Sequence, residues 1–202
     1  MKITSLVTLL SLTFVASAFS QAWVNNYSGS STSMTTTDGG ALLTLTEPTT
    51  FWTAGTSTFA GLGLTTETGS FQEIALDGSN SVLTFTLQAG YVFSEFKMAD
   101  GDAGATAFNS TLSSGTWSFQ ENLSASTITN GGSSIFHQGA NNSSFIAEAN
   151  VAGLNSFSIT FGDQTEDSHI GFAYSASQVP EPSSALFCGI VAVAGLMRRR
   201  RS

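Results

Sequence analysis

Four glutamates fall inside segments whose alternating apolar pattern predicts β-strands, and a pair of them could support acid–base chemistry. They are Glu73, Glu95, Glu121 and Glu148. Glycoside hydrolysis needs two facing carboxylates, one that donates a proton and one that acts as base or nucleophile. Glutamates on a solvated outer face give the same pattern, and Lys97 follows Glu95 by two residues, on the same face of the strand. The spacing selects no pair, so we assign no catalytic residue.

The two histidines, His137 and His169, are the candidate bases for a serine nucleophile. The Gly-x-Ser-x-Gly motif does not occur, and both histidines fit ordinary strand or loop positions. The single cysteine, Cys188, lies in an apolar run near the C-terminus. The rest of the chain therefore has no disulfide framework and no cysteine nucleophile. We expect no enzymatic activity and no cofactor.

Acidic turns and tryptophans suggest two kinds of binding. The segment "ADGDAGA" contains a fragment of the alternating oxygen ligands of calcium loops, and "GDQTED" is a second acidic turn, but the complete loop pattern is missing. We therefore assign no metal ligand. Exposed tryptophans could stack on sugar rings, although a phenylalanine-rich core would also bury them. The acidic residues and the glycine are Asp100, Asp102, Gly104, Asp163, Glu166 and Asp167, and the tryptophans are Trp23, Trp52 and Trp117.

Short alternating strands are the elements that would position these residues. The segment "SVLTFTLQ" puts Leu83, Phe85 and Leu87 on one face, and "NSFSITF" and "HIGFAYS" repeat the pattern. Turns rich in Gly, Asn and Asp separate such segments. We predict an all-β fold over 23–178, an antiparallel two-sheet sandwich of jelly-roll type with roughly ten to twelve strands. The sixteen phenylalanines would fill the layer between the sheets, and 29–37 would be an edge strand or a loop.

The charge of the predicted domain excludes one class of partner. The whole chain has a net charge of −8. Between residues 23 and 179, Lys97 is the only Lys or Arg, against thirteen acidic residues, which leaves −12 for that span. An acidic surface gains nothing from releasing the counterions of a polyanion. We expect no nucleic-acid partner.

The N-terminus has the three parts of a secretory signal peptide. Lys2 is the positive residue, 3–15 form the apolar stretch, and Ala16 and Ala18 form the small-x-small site for signal peptidase. A second possible site ends at Ala22. Residues 1–22 are therefore predicted to be a signal peptide that passes through the secretion translocon, with cleavage after residue 18 or 22.

The C-terminus combines prolines, a short apolar run and a basic cluster. The thirteen apolar residues 185–197 reach about 20 Å as a helix, and a bilayer core measures about 30 Å. A short membrane helix over about 183–197 would be a weak, temporary anchor. The basic cluster keeps its end cytoplasmic, so the domain must lie outside. That cluster is Arg198, Arg199, Arg200 and Arg201.

The prolines stand in the motif "VPEP", formed by Val179, Pro180, Glu181 and Pro182. Followed by the apolar run and the arginine cluster, this motif resembles the PEP-CTERM sorting signal of Gram-negative bacteria. The resemblance covers only 179–202, and such signals are attached to very different domains. It implies processing by an exosortase-type membrane peptidase. It also implies an association with exopolysaccharide and with biofilm or floc formation.

We therefore predict an exported, non-enzymatic protein of the cell surface or extracellular matrix. It would be anchored transiently in the inner membrane and then released to the cell surface or the exterior. Expected partners are signal peptidase, the translocon, the exosortase and an exopolysaccharide. A carbohydrate-binding module for that polymer and a jelly-roll hydrolase are the alternatives.

Overall fold

The computed structural model describes residues 19–179 except for 31, 48–50, 77–80, 103–106, 139–143 and 163–167. The described residues all belong to one compact unit, Ala18–Val179. Several predictions fall outside the described residues: the signal-peptidase site, the Pro-Glu-Pro core of the sorting motif, the membrane helix, the arginine cluster, Cys188, Gly104 and the acidic segment 163–167. Within the described ranges, no helix is long and apolar enough to cross a membrane.

The described residues contain fifteen β-strands and no α-helix. The all-β prediction is confirmed, although the strands outnumber those predicted because several have only two to four residues, too few to show an alternating pattern. The strands are β1 (Ala22–Trp23), β2 (Ser28–Ser30), β3 (Ser33–Thr36), β4 (Leu43–Thr46), β5 (Phe51–Thr58), β6 (Ser70–Leu76), β7 (Val82–Leu87), β8 (Tyr91–Asp102), β9 (Phe108–Leu112), β10 (Trp117–Asn122), β11 (Thr127–Thr129), β12 (Ser134–His137), β13 (Phe145–Ala149), β14 (Ser156–Phe161) and β15 (Ser168–Gln178).

The strands form two antiparallel sheets. The seven-stranded sheet has the order β10-β13-β8-β15-β6-β5, with β1 also paired to β15. The eight-stranded sheet has the order β11-β12-β9-β14-β7-β4-β3-β2. The segment 29–37 therefore contributes the edge strand β2 and its neighbour β3, rather than a loop.

The core lies between the inner faces of the two sheets. Phe85 of the eight-stranded sheet meets Phe96 and Phe172 of the seven-stranded sheet edge-on, with ring centroids 4.8 and 4.9 Å apart. The predicted inward positions Leu83, Phe85 and Leu87 are all buried. Burial of each such side chain contributes about 1.5–3 kcal/mol, so this layer dominates the stability of the sandwich.

A second apolar cluster covers the outer face of the seven-stranded sheet. Phe59, Leu64 and Phe71 pack there with Ala99 and Ile146. Phenylalanines therefore pack on this outer face as well as in the layer between the sheets, where the sequence placed them. The segment 59–69, which we call the cover loop, joins β5 to β6 and supplies Phe59 and Leu64 to this cluster.

The antiparallel register gives the sandwich two distinct ends. The turn 88–90 joins β7 to β8 at one end, which we call the exit end. The last described residue, Val179, lies there and donates its N–H to the Gly90 carbonyl at 2.8 Å. Strand β8 starts at this turn and runs away from it. Strands β6 and β14 are antiparallel to β15 and β7, which run toward the exit end, so all three strands finish at the far end.

Candidate functional site

An aspartate, a histidine and a serine meet between the two sheets. His137 Nδ1 lies 2.7 Å from Asp100 Oδ2, and His137 Nε2 lies 2.6 Å from Ser110 Oγ. This is the contact order of a serine-hydrolase triad, in which the carboxylate orients the imidazole and the imidazole takes the hydroxyl proton. His137 was predicted to be an ordinary strand or loop residue, and sequence patterns gave no reason to join it to Ser110.

Alternation along three strands brings these side chains together. The inward positions of β9 include Phe108 and Ser110, and β12 turns His137 inward directly opposite Phe108. The Phe108 and His137 rings stack with centroids 4.0 Å apart. Asp100 comes from β8 in the other sheet, so the hydrogen-bonded series connects the two layers.

Burial decides what this group can do chemically. Asp100, Ser110 and His137 are each 0% exposed, so no substrate carbonyl can approach Ser110 Oγ in the described fold. Ser110 also sits within a paired strand, where its backbone N–H belongs to the sheet rather than to an oxyanion hole. We interpret the group as a polar link between the sheets.

The position of Asp100 also corrects the suggestion of a calcium loop around it. Its side chain points into the core rather than to solvent, and both Asp100 and Asp102 lie within β8. The second carboxylate oxygen, Asp100 Oδ1, has no hydrogen-bond partner among the described residues. The part of the chain that the structure describes contains no group of three or more potential metal ligands.

The four strand glutamates all lie on the outer face of the seven-stranded sheet, but each has a different environment. Glu121 Oε2 accepts the N–H of Thr66 at 2.9 Å and that of Thr65 at 2.8 Å, and both threonine hydroxyls also donate to the carboxylate. The Thr66 N–H is the main cause that lowers the pKa of Glu121 to about 2. Glu121 therefore fixes the cover loop and cannot act as a general acid near neutral pH.

Glu73 forms a second polar group nearer the other edge of this sheet. Its carboxylate accepts a hydrogen bond from the Ser57 hydroxyl, and its Oε2 lies 3.3 Å from His169 Nδ1. The carboxylate stands between serine and histidine, which is the wrong order for activating a serine. His169, the second candidate base named from the sequence, is partly exposed.

Glu148 and Glu95 complete the set without forming a catalytic pair. Glu148 accepts from Gln120 Nε2 at 3.1 Å and faces Lys97 across β13 and β8. Lys97 forms a 2.6 Å ion pair with Glu67 of the cover loop rather than with Glu95. Glu95 is exposed and lies opposite Ser175.

The described tryptophans do not form open platforms. Trp117 is 4% exposed and belongs to the core. Trp23 packs against Phe59 and Phe71 with ring centroids 4.8 and 5.5 Å apart. The side chain of Trp52 lies outside the described residues.

The most regular surface feature is an array of hydroxyl groups on the outer face of the eight-stranded sheet, which we call the hydroxyl face. The five adjacent strands β2, β3, β4, β7 and β14 each carry two Ser or Thr residues, which are separated in the sequence by one central residue. Their registers align these residues in two rows across the sheet. The first row is Ser28, Thr35, Thr44, Thr86 and Ser156, and the second is Ser30, Ser33, Thr46, Thr84 and Ser158.

The packing beneath explains why the array is regular. The residues between the two rows point inward, and Met34, Leu45, Phe85 and Phe157 are all buried there. Side chains in one row are therefore about 4.8 Å apart, and the rows are separated by two residues, about 6.8 Å. All ten hydroxyl residues are partly or fully exposed, and none is charged.

Hydrogen bonds between neighbouring strands pre-order part of this face. Thr84 Oγ1 lies 2.8 Å from Ser158 Oγ, and Thr86 Oγ1 lies 2.8 Å from Ser156 Oγ. A hydroxyl group has one donor and two acceptor positions, so each pair keeps some capacity for an external partner. In the sequence, the triplets "TLT", "TFT" and "SFS" indicate strands with hydroxyls on one face. Only the strand order shows that these triplets lie side by side.

Comparison of the chain with protein-family models, curated proteins and solved structures finds no match.

Proposed function

We propose that this protein is an exported, non-enzymatic component of the cell surface or extracellular matrix that binds a neutral exopolysaccharide through its hydroxyl face. The domain would be a jelly-roll-type sandwich, delivered by the N-terminal signal peptide and sorted through the C-terminal PEP-CTERM signal. The two aligned rows of uncharged hydroxyls are the observation that supports the polysaccharide as a partner.

The chemistry of the hydroxyl face suits an extended sugar polymer. Sugar hydroxyls donate and accept hydrogen bonds as serine and threonine do, and a row that repeats at every strand offers repeated contacts to a repeating chain. Each hydrogen bond exchanged with water contributes only about 1 kcal/mol. Useful affinity must therefore come from many contacts along one polymer or from several protein copies on it.

A binding role without catalysis agrees with the environments of the titratable groups. The buried Ser110 cannot meet a substrate, and Glu121 is held ionised by the cover loop. We expect the folded protein to resist labelling by fluorophosphonates and to release no sugar from the polymers that it binds.

Co-sedimentation with an insoluble neutral β-glucan tests the hydroxyl face. Replacing Thr46 and Thr84 together with Val keeps the branched shape of both side chains but removes two central hydroxyls. We expect a several-fold loss of retained protein. Thr127→Val, on a strand of the same sheet but outside the rows, is the matched control and should be retained like the wild type.

Two results would contradict this binding mode. One is equal retention of the double variant and the wild type. The other is stronger retention on an acidic polyuronate than on the neutral glucan, because the acidic domain should be repelled by a polyanion.

The sorting signal has a separate test. Changing Pro180, Glu181 and Pro182 together to Ala should trap the full-length chain in the inner membrane, whereas Cys188→Ser should be processed normally. Immunoblots of membrane and extracellular fractions measure this. Processing of the triple variant at the wild-type rate would show that the motif does not direct sorting here.

A further inference from the structure

Four partly exposed apolar side chains cluster at the exit end, and we call this cluster the exit patch. Phe19, Leu42 and Val179 are 39%, 38% and 43% exposed. Tyr91 completes the patch, with its ring centroid 6.3 Å from that of Phe19. Isolated exposed apolar residues are ordinary on a soluble domain, but a contiguous group commonly marks a surface that meets a partner.

Backbone hydrogen bonds hold the members of the exit patch around one turn. Val179 donates its N–H to the Gly90 carbonyl at 2.8 Å, and Tyr91 donates to the Gln88 carbonyl at 3.3 Å. Gln88 in turn donates to the Leu42 carbonyl at 2.9 Å. The patch is therefore built from fixed elements of both sheets.

The charges around the exit patch favour an uncharged, apolar partner. The patch contains no charged side chain. Asp38, an acidic residue in the neighbouring turn, accepts the N–H groups of Asn25 and Asn26 with its Oδ2 at 2.8 and 3.1 Å.

The covalent structure limits how far the exit patch can move from an inserted tail. Only residues 180–184 separate Val179 from the apolar run that begins at Ala185. Five extended residues span at most about 18 Å. Val179, at the edge of the exit patch, therefore stays within about 18 Å of the hydrocarbon core of any membrane that holds the tail.

We infer that the exit patch rests on the lipid surface while the C-terminal tail is inserted, and this inference depends on the anchoring step of the proposed function. Phenylalanine and tyrosine favour the boundary between hydrocarbon and water, where Tyr91 can keep its hydroxyl hydrated. The contact is apolar rather than ionic, because the acidic domain would be repelled by anionic headgroups. The domain is thereby oriented with its far end toward the exterior.

A fluorescent probe at two positions tests this orientation. In a Cys188→Ser background, Leu42→Cys and Leu123→Cys each place one environment-sensitive dye on the full-length chain. Leu123 is the matched control, because it is 54% exposed and follows β10 at the far end. The labelled chains are reconstituted into phosphatidylcholine vesicles with and without a nitroxide in the headgroup region.

We expect the dye at position 42 to shift to the blue and to lose most of its emission to the lipid nitroxide, while the dye at position 123 does neither. Equal behaviour of the two dyes on chains that resist carbonate extraction would overturn the inference and leave the anchor intact. Shielding of position 42 without quenching would overturn it in favour of a second copy or another chain segment. Chains extracted by carbonate would overturn the anchor, and the inference with it.

Discussion

The Asp100, His137 and Ser110 side chains have the contact order of a hydrolase triad, yet all three are shut between the sheets. The Asp100 carboxylate can accept a hydrogen bond from His137 Nδ1–H, which leaves Nε2 to accept one from the Ser110 hydroxyl. Because a buried polar group without a partner costs about 1–3 kcal/mol, removing one member should harm the other two. The three side chains therefore stabilise the fold through their hydrogen bonds to one another.

We predict that Asp100→Ala destabilises the domain by about 2–4 kcal/mol, because it leaves His137 buried without its carboxylate partner. Replacing Asp100, His137 and Ser110 together with Leu, Phe and Ala should cost less than the sum of the single changes, since no polar group is then left unpaired. Urea unfolding measures both. Strict additivity of the three losses would contradict a coupled group.

Glu121 gives the fold a defined dependence on pH. Its hydrogen bonds to Thr66 and Thr65 lower its pKa from the ordinary 4.5 to about 2, so the folded state binds that proton less readily than the unfolded chain. The stabilisation is complete above pH 4.5 and disappears as the pH falls toward 2.

Glu121→Gln should therefore be less stable than the wild type at pH 6, and the difference should narrow between pH 4.5 and pH 2. Thermal unfolding at several pH values follows the difference. Glu95→Gln, at an exposed position of the same sheet, is the control for removing a carboxylate charge. A constant difference for Glu121→Gln across this range would mean that its carboxylate does not act through proton linkage.

At the scale of elements, the alternating pattern predicted strands in segments of five or more residues in which every second residue is apolar. β7, β14 and β15 were found in this way, and their inward residues Leu83, Phe157 and Phe172 are buried. The alternating pattern could not predict which strands are neighbours, because pairing depends on contacts between distant parts of the chain. The hydroxyl face follows from that pairing, and the Asp100–His137 contact follows from the packing of one sheet on the other, so neither was predicted.

Packing on the outer face of the seven-stranded sheet requires a glycine in strand β15. Gly171 lies under the Phe71 ring, and an added Cβ would come within 1.9 Å of Phe71 Cδ2. The second apolar cluster rests on this close approach.

We predict that Gly171→Ala destabilises the domain by about 1–3 kcal/mol, because either the Phe71 ring or β15 must shift. Gly55→Ala is the matched strand control: its added Cβ would meet only Glu73 Oε2 at 3.7 Å, an ordinary contact. Chemical unfolding compares the two. Equal stability of both variants would contradict the tight packing of Phe71 on β15.

At the scale of the whole molecule, the first described residues belong to the folded domain. Phe19 donates its N–H to the Ala176 carbonyl at 3.1 Å, and Ala22 pairs with Tyr174 in β1. Cleavage after Ala22 would remove both contacts, whereas cleavage after Ala18 would keep them.

We therefore predict that the mature protein begins at Phe19. Mass spectrometry of the exported protein identifies the terminus. A domain produced from Phe19 should also unfold at a higher temperature than one produced from Trp23. Exported protein that begins at Trp23, with the same stability as the longer form, would contradict this.

The position of β15 has a consequence for the timing of folding. It is the last of the described strands, yet it lies inside the seven-stranded sheet and pairs with β8, β6 and the N-terminal β1. Such long sequence separations make folding slow, because the entropy cost of closing a long loop comes before the stabilising contacts form. If the chain is exported as we propose, we expect it to cross the translocon without its central strand, in an unfolded and export-competent state. The sheet would then close only after Gln178 has emerged.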